Sequence, residues 1–250
     1  MAGQIAEVWQ ASKAQSRPAA ALAWAQALEA TAELATDARA AHELASKIGG
    51  LLADEKLRVE ACGLAYARTL FHAAAAANDV DPRRRCAEAI EDLLEDAPFQ
   101  TTAIALVYAQ VVYSWVLVDS ARASSETALR SLRAIVQGRS PAASRIASPE
   151  LGYELAKCIL LDAMHAKSPM QAGLMVEVER LVEAPNPRPG SELDEWLTQF
   201  ASVEHGVEDF ALDLLGRYRG VRARDPAVAD QPPSTQTSQS GPTSSSSLSR

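Results

Sequence analysis

The sequence predicts an all-α protein built from repeated helical hairpins. Apolar residues recur at i, i+3, i+4 and i+7, and Ala, Leu, Glu and Arg dominate over β-branched residues. Similar segments also recur about every 42 residues. No segment has the alternating pattern of a strand. With 48% hydrophobic residues among 250, the chain has enough apolar content for a core.

The repeat is clearest where a leucine stands two residues before an aromatic residue. Such segments are spaced by 42, 42 and 45 residues, at Leu22-Ala-Trp24, Leu64-Ala-Tyr66, Leu106-Val-Tyr108 and Leu151-Gly-Tyr153. Apolar doublets keep nearly the same spacing, at Leu51-Leu52, Leu93-Leu94, Ile135-Val136 and Leu181-Val182. Each unit is long enough for two helices, so the sequence predicts about four hairpins.

Helix boundaries are indicated by capping residues and prolines. A side-chain oxygen before a proline is typical of a helix start, because proline at the first helical position loses no hydrogen bond. Three starts are predicted in this way, at Asp81-Pro82, Ser148-Pro149 and Ser168-Pro169. Prolines after the second helices are expected to end them, at Pro98, Pro141 and Pro185.

The units resemble the tetratricopeptide-repeat family. That family's first helix carries a small residue three positions before an aromatic one, as do Ala21/Trp24, Gly63/Tyr66 and Ala105/Tyr108. The second-helix pattern of the family is similar to the run from Cys86 through Ile90 and Leu93 to Pro98. The units are about eight residues longer than the family's, and Glu150 occupies the small position in the fourth copy. HEAT or armadillo repeats stay open on period alone.

The resemblance covers about residues 15–185 and implies a right-handed α-solenoid of about four hairpins with a groove lined by first helices. The positions two after the aromatic residue are Gln26, Arg68 and Gln110. In the family, such positions contact an extended peptide or the terminus of a partner. These three residues are therefore the predicted partner-binding residues. The alternative is that they are simply exposed polar residues.

The chain is predicted to have three parts, and two of them lie at its C-terminal end. Residues 1–190 are the predicted hairpin domain, and 191–224 a long amphipathic capping helix. An apolar stripe runs along that helix from Leu193 to Tyr218, and a dimer through Leu193–Tyr218 is the alternative. Residues 225–250 are rich in Ser, Thr and Pro and are predicted to be a disordered tail.

The sequence contains no motif that predicts catalysis, a metal or a cofactor. It has no glycine-rich phosphate loop, no Gly-x-Ser-x-Gly and no His-Glu-x-x-His. His205 with Glu208 and Asp209 has metal-ligand spacing but is predicted to face solvent. Cys62 and Cys86 are predicted to be buried structural residues. We therefore predict no catalytic residue, no metal and no cofactor.

The charge distribution limits the partners. A net charge of −8 and an isoelectric point near 5.1 argue against nucleic-acid binding. Arg83-Arg84-Arg85 is predicted to be a solvated turn, with an anion or acidic-peptide contact as the alternative. Four arginines at 217–224 leave RNA or an anionic membrane as an alternative. The uncharged stretch Ala97–Val118 is predicted to be a buried helix, with a membrane span as the alternative.

The function predicted from these features is a non-enzymatic module that binds a peptide or partner protein in a concave groove. An N-terminus without secretory-signal features and an odd number of cysteines favour a cytoplasmic location. Alternatives are a regulatory or scaffold subunit of an obligate complex, an all-α enzyme whose site combines separate repeats, and a protein anchored in a membrane at Ala97–Val118.

Overall fold

The computed structural model describes residues 18–119, 125–139, 148–166 and 170–182, with the single positions 146, 195, 197, 198, 212, 214 and 216. Over these residues the chain forms α-helices and no β-strand, which confirms the all-α prediction. The helices are α1 (Pro18–Glu33), α2 (Ala38–Leu52), α3 (Glu60–Ala76), α4 (Val80–Glu95), α5 (Thr102–Val118), α6 (Ser125–Val136), α7 (Pro149–His165) and α8 (Met170–Val182). Two short 3-10 helices, Glu55–Leu57 and Ala97–Phe99, precede α3 and α5.

The helices pack mostly in sequence order. The odd-numbered helices α1, α3, α5 and α7 contact one another in succession. Each of α2, α4 and α6 packs between the odd-numbered helix before it and the one after it, and α8 packs on α7. Alanine is the most frequent residue at the buried positions of α1 and α3. Because the distance between helices depends on the side chains at the contact, these short side chains allow close packing.

The turns before α3 and α5 have the same structure. In each, the amide of a buried apolar residue donates to the carbonyl of an aspartate three positions earlier: Leu57 to Asp54 and Phe99 to Asp96, both at 2.9 Å. Leu57 and Phe99 are 42 residues apart. These turns therefore repeat at the same spacing as the helices on either side of them, although Asp54–Val59 and Asp96–Thr101 share little sequence beyond the aspartate.

Ile146 is a third buried residue of the same kind as Leu57 and Phe99. It changes how the fourth unit aligns with the three units before it. Ile146 stands three residues before α7, as Leu57 and Phe99 stand before α3 and α5. The offset between Phe99 and Ile146 is 47 residues, rather than the 45 that the aromatic residues indicate. In this register Gly152 occupies the small position that the sequence pattern had assigned to Glu150.

The capping residues agree with this register. Ser148 caps α7 as predicted, since its side chain accepts a hydrogen bond from the amide of Leu151 at 3.3 Å. Thr101 caps α5 in the same way through the amide of Ile104 at 3.4 Å. Thr101 and Ser148 are also 47 residues apart. The predicted boundaries at Ser168-Pro169, Pro141 and Pro185 lie outside the described residues.

Two predictions about α4 are wrong. The helix begins at Val80 with Asp79 at the N-cap, so Asp81 lies inside the first turn. Arg83 is buried, whereas the sequence predicted a solvated turn. Its Nε and Nη2 donate to the Ala77 carbonyl oxygen at 3.1 and 2.6 Å, and its Nη1 donates to the carbonyl oxygen of Ser114. The carbonyls at a helix C-terminus lack partners within the helix, and Arg83 supplies one for the end of α3.

The C-terminal segment contributes to the same core. Leu197 and Leu214 are helical and fully buried among the residues of the main hydrophobic cluster, while Glu195, Leu212 and Gly216 are exposed. Most of the predicted cap at 191–224 and all of the tail at 225–250 lie outside the described residues. The cap at 191–224 stays a prediction, with the dimer through Leu193–Tyr218 as its alternative.

The uncharged helix α5 lies at the centre of the core. Most of its residues are buried against α3, α4 and α7, including Tyr108 and Trp115. Among the helices of the described residues, none is both long enough and apolar enough to cross a membrane.

Candidate functional site

The three predicted binding residues lie on three helices that pack in succession. Gln26 is on α1, Arg68 on α3 and Gln110 on α5, and all three side chains are exposed. Helical spacing places each of them on the same side of its helix as the residues three and seven positions later. They therefore define one exposed row that crosses α1, α3 and α5.

An ion pair shows how two of these helices face each other. Arg68 Nη1 lies 3.4 Å from Glu29 Oε1, and the two side chains are 52% and 20% exposed. Glu29 follows Gln26 by three positions on α1. The pair therefore links the face of α1 that carries Gln26 to the face of α3 that carries Arg68. At this exposure the pair contributes little to stability, on the order of 0.5 kcal/mol.

Two further rows accompany the predicted one, each with 42-residue spacing. The residues three positions after the first row are Glu29, Phe71 and Tyr113. The residues seven positions after it are Glu33, Ala75 and Leu117. We call the nine residues of the three rows the odd-helix face. The sequence pattern predicted three of them; the other six lie one and two helical turns further along the same helices, in the same 42-residue register.

The odd-helix face combines apolar and polar side chains. Phe71 and Tyr113 are partly buried, with one side of each packed against the core. Leu117 is 53% exposed, although it is a large apolar residue. The ring of His72 meets Phe71 edge to face, with the centroids 5.6 Å apart, which orients the Phe71 ring. Partly buried aromatic side chains on firmly packed helices are typical of protein-binding surfaces.

A cleft between α2 and α4 lies outside the odd-helix face. It has a volume of about 470 Å³, and Ala73 of α3 contributes to its lining. The rim charges are mostly engaged within the chain: Arg39 pairs with Glu43 at 3.3 Å, and Asp37 accepts a hydrogen bond from the Arg39 amide at 3.1 Å. Because acidic and basic groups balance at this rim, the cleft has no clear preference for a charged ligand.

The thiols are in environments that suppress their reactivity. Burial raises the pKa of Cys86, which lines the cleft, to about 12. Burial also raises the pKa of Cys62 and of the fully buried Cys158. A thiol with a raised pKa remains protonated at neutral pH and is a poor nucleophile. The three thiols therefore act as small apolar core residues.

Within the residues that the structure describes, no group of three or more His, Cys, Asp or Glu side chains is placed to hold a metal ion. His205, Glu208 and Asp209 lie outside those residues. Comparisons with protein-family models, with curated proteins and with solved structures gave no match.

Proposed function

We propose that this protein is an α-solenoid of tetratricopeptide-like hairpins that binds a partner protein or peptide on the odd-helix face. The matching backbone hydrogen bonds in the turns before α3 and α5 and the succession of the odd-numbered helices support a repeated unit. In such repeats each hairpin buries its apolar face against its neighbours, and the stacked helices form an extended surface. Right-handed stacking is part of the proposal.

The observation that carries the binding proposal is the exposure of Leu117 beside Tyr113. Both lie on α5, a helix without a charged residue, at positions that continue the rows of Phe71 and Ala75 on α3. Apolar and aromatic side chains at the exposed surface favour association, because covering them removes apolar area from water. The proposal needs no turnover and no cofactor.

A capture experiment with the full chain as bait tests this proposal. Leu117→Asp places a charge on the odd-helix face, whereas Leu34→Asp changes a residue that is 83% exposed in the turn between α1 and α2. We expect a partner captured from a lysate of the source organism to be lost with Leu117→Asp and retained with Leu34→Asp. Circular dichroism should show the same helix content for both variants.

Arg68→Glu provides a second variant on the same face. It reverses the charge beside Glu29 without changing a buried residue, so reduced capture without loss of helix content would support the face as the binding surface. Partners that bind all three variants as well as the unmodified chain would rule out the odd-helix face. Insolubility of Leu117→Asp alone would instead favour an obligate-complex subunit.

A further inference from the structure

The charges of the odd-helix face are unevenly distributed along the row of helices. On α1 the face carries Glu29 and Glu33, whereas α5 contributes only uncharged residues. Arg68 on α3 pairs with Glu29. The side chain of Glu33 is exposed and makes no ion pair or hydrogen bond within the described part of the chain. The face is therefore acidic at its α1 end, whereas its α5 end is uncharged and exposes the apolar Leu117 beside Tyr113.

The distance between the two ends of the face determines how far apart the apolar and the basic side chain of a complementary peptide must be. Packed helices lie roughly 8–10 Å apart, so two steps from α5 to α1 span roughly 16–20 Å. An extended peptide advances about 3.3 Å per residue, so about five or six residues cover that distance. A peptide lying across the helices would reach Tyr113 and Leu117 with one side chain and Glu33 with another.

We propose that the odd-helix face selects an extended peptide with an apolar side chain and, about five or six residues away, a lysine or arginine. The apolar side chain contacts Tyr113 and Leu117, and the cation lies beside Glu33. The charge on Glu33 is complementary to such a cation and repels an acidic peptide, which supplies specificity more than affinity. This inference rests on the proposed function and adds the chemistry of the partner.

A displayed library of random twelve-residue peptides, panned against the full chain, provides the probe. We expect the selected peptides to be enriched in Lys or Arg at a constant spacing from an apolar residue. Selected peptides are then synthesised, and their affinities are measured by fluorescence anisotropy. Glu33→Lys should lower the affinity for a basic peptide by about tenfold, since it replaces an attraction between charges with a repulsion. Glu55→Lys makes the same change of charge at an exposed residue outside the odd-helix face, so it is the matched control and should bind normally.

The outcomes separate the two proposals. Acidic or uncharged consensus peptides, a failure to select any peptide, or an unchanged affinity in Glu33→Lys would overturn the inference about basic peptides. If such peptides still lose binding in Leu117→Asp, the odd-helix face remains the binding surface. If Leu117→Asp also binds them normally, both proposals are wrong. Because Glu33 is exposed at the last position of α1, where a cation is favourable, Glu33→Lys should not unfold the chain.

Discussion

The ring of Phe99 lies directly against the backbone of Gly63. A Cβ atom on Gly63 would stand 2.4 Å from Phe99 Cδ1 and 2.8 Å from Cε1, distances that real Cβ contacts do not reach. Phe99 is buried in the turn before α5, and Gly63 lies in the first turn of α3. The small residue that the repeat pattern requires in α3 thus makes room for the buried residue of the next turn.

Gly63→Ala should therefore destabilise the protein by about 2 kcal/mol, because the rigid Phe99 ring must shift within a packed core. Urea unfolding monitored by circular dichroism gives the free energy of unfolding. Gly50→Ala is the matched control: Gly50 is also helical, and a Cβ there would have open space. That control should be stabilising by about 0.5–1 kcal/mol.

A second substitution tests the cause. Phe99→Leu in the Gly63→Ala background should restore part of the lost stability, because leucine occupies the equivalent position at Leu57. Unfolding of Gly63→Ala at the same urea concentration as the unmodified chain would show that the contact between Gly63 and Phe99 is not tight.

Arg83 provides a second prediction, because its guanidinium joins the end of α3 to α5. Arg83→Met keeps much of the side-chain volume but removes the donors to the carbonyls of Ala77 and Ser114. We expect a loss of about 2 kcal/mol in the free energy of unfolding, since hydrogen bonds from a charged group are lost. Chemical denaturation of the purified variant and of the unmodified chain measures this difference in the free energy of unfolding.

The neighbouring Arg84 is the natural control for that variant. Among the described residues, it pairs with exposed carboxylates of its own helix, Asp81 at 3.1 Å and Glu88 at 3.4 Å. Arg84→Met should change the stability by less than about 0.5 kcal/mol. Equal losses in the two variants would mean that Arg83 is no more important than a surface arginine.

Alkaline pH should weaken the fold through buried protonated groups. Burial raises the pKa of Cys86 to about 12, and burial together with nearby negative charges raises the pKa of Tyr66 and of Tyr108. The folded chain keeps these protons at a pH where the unfolded chain has released them. Each group therefore makes its full contribution to the stability below its pKa in the unfolded chain, and that contribution is lost as the pH rises above this value.

Cys86→Ala isolates one of these contributions. Between about pH 9 and pH 11 its stability should fall less steeply than that of the unmodified chain, by up to about 1.4 kcal/mol per pH unit. Below pH 8 the free energy of unfolding should change with pH in the same way for Cys86→Ala and for the unmodified chain. Urea unfolding at several pH values measures both slopes, and parallel curves up to pH 11 would show that the Cys86 thiol ionises in the folded protein as it does in the unfolded one.

The sequence by itself determined the all-α class and the cap at Ser148, because helical periodicity and capping chemistry are local properties. It also located Gln26, Arg68 and Gln110 at exposed positions, since a constant 42-residue spacing returns to the same place on successive helices. The burial of Cys62 and Cys86 followed from their place in the same repeated pattern.

Only the tertiary structure decided the features that depend on contacts distant in sequence. The role of Arg83 depends on Ser114, 31 residues later, and a run of three arginines gives no local sign of it. The alignment of the fourth unit with the others depends on the burial of Ile146, and the spacing of aromatic residues along the helices does not indicate which residue before α7 is buried. The ion pair between Glu29 and Arg68 and the contact of Phe99 with Gly63 join residues more than 35 positions apart, and only the packing of successive helices brings them together.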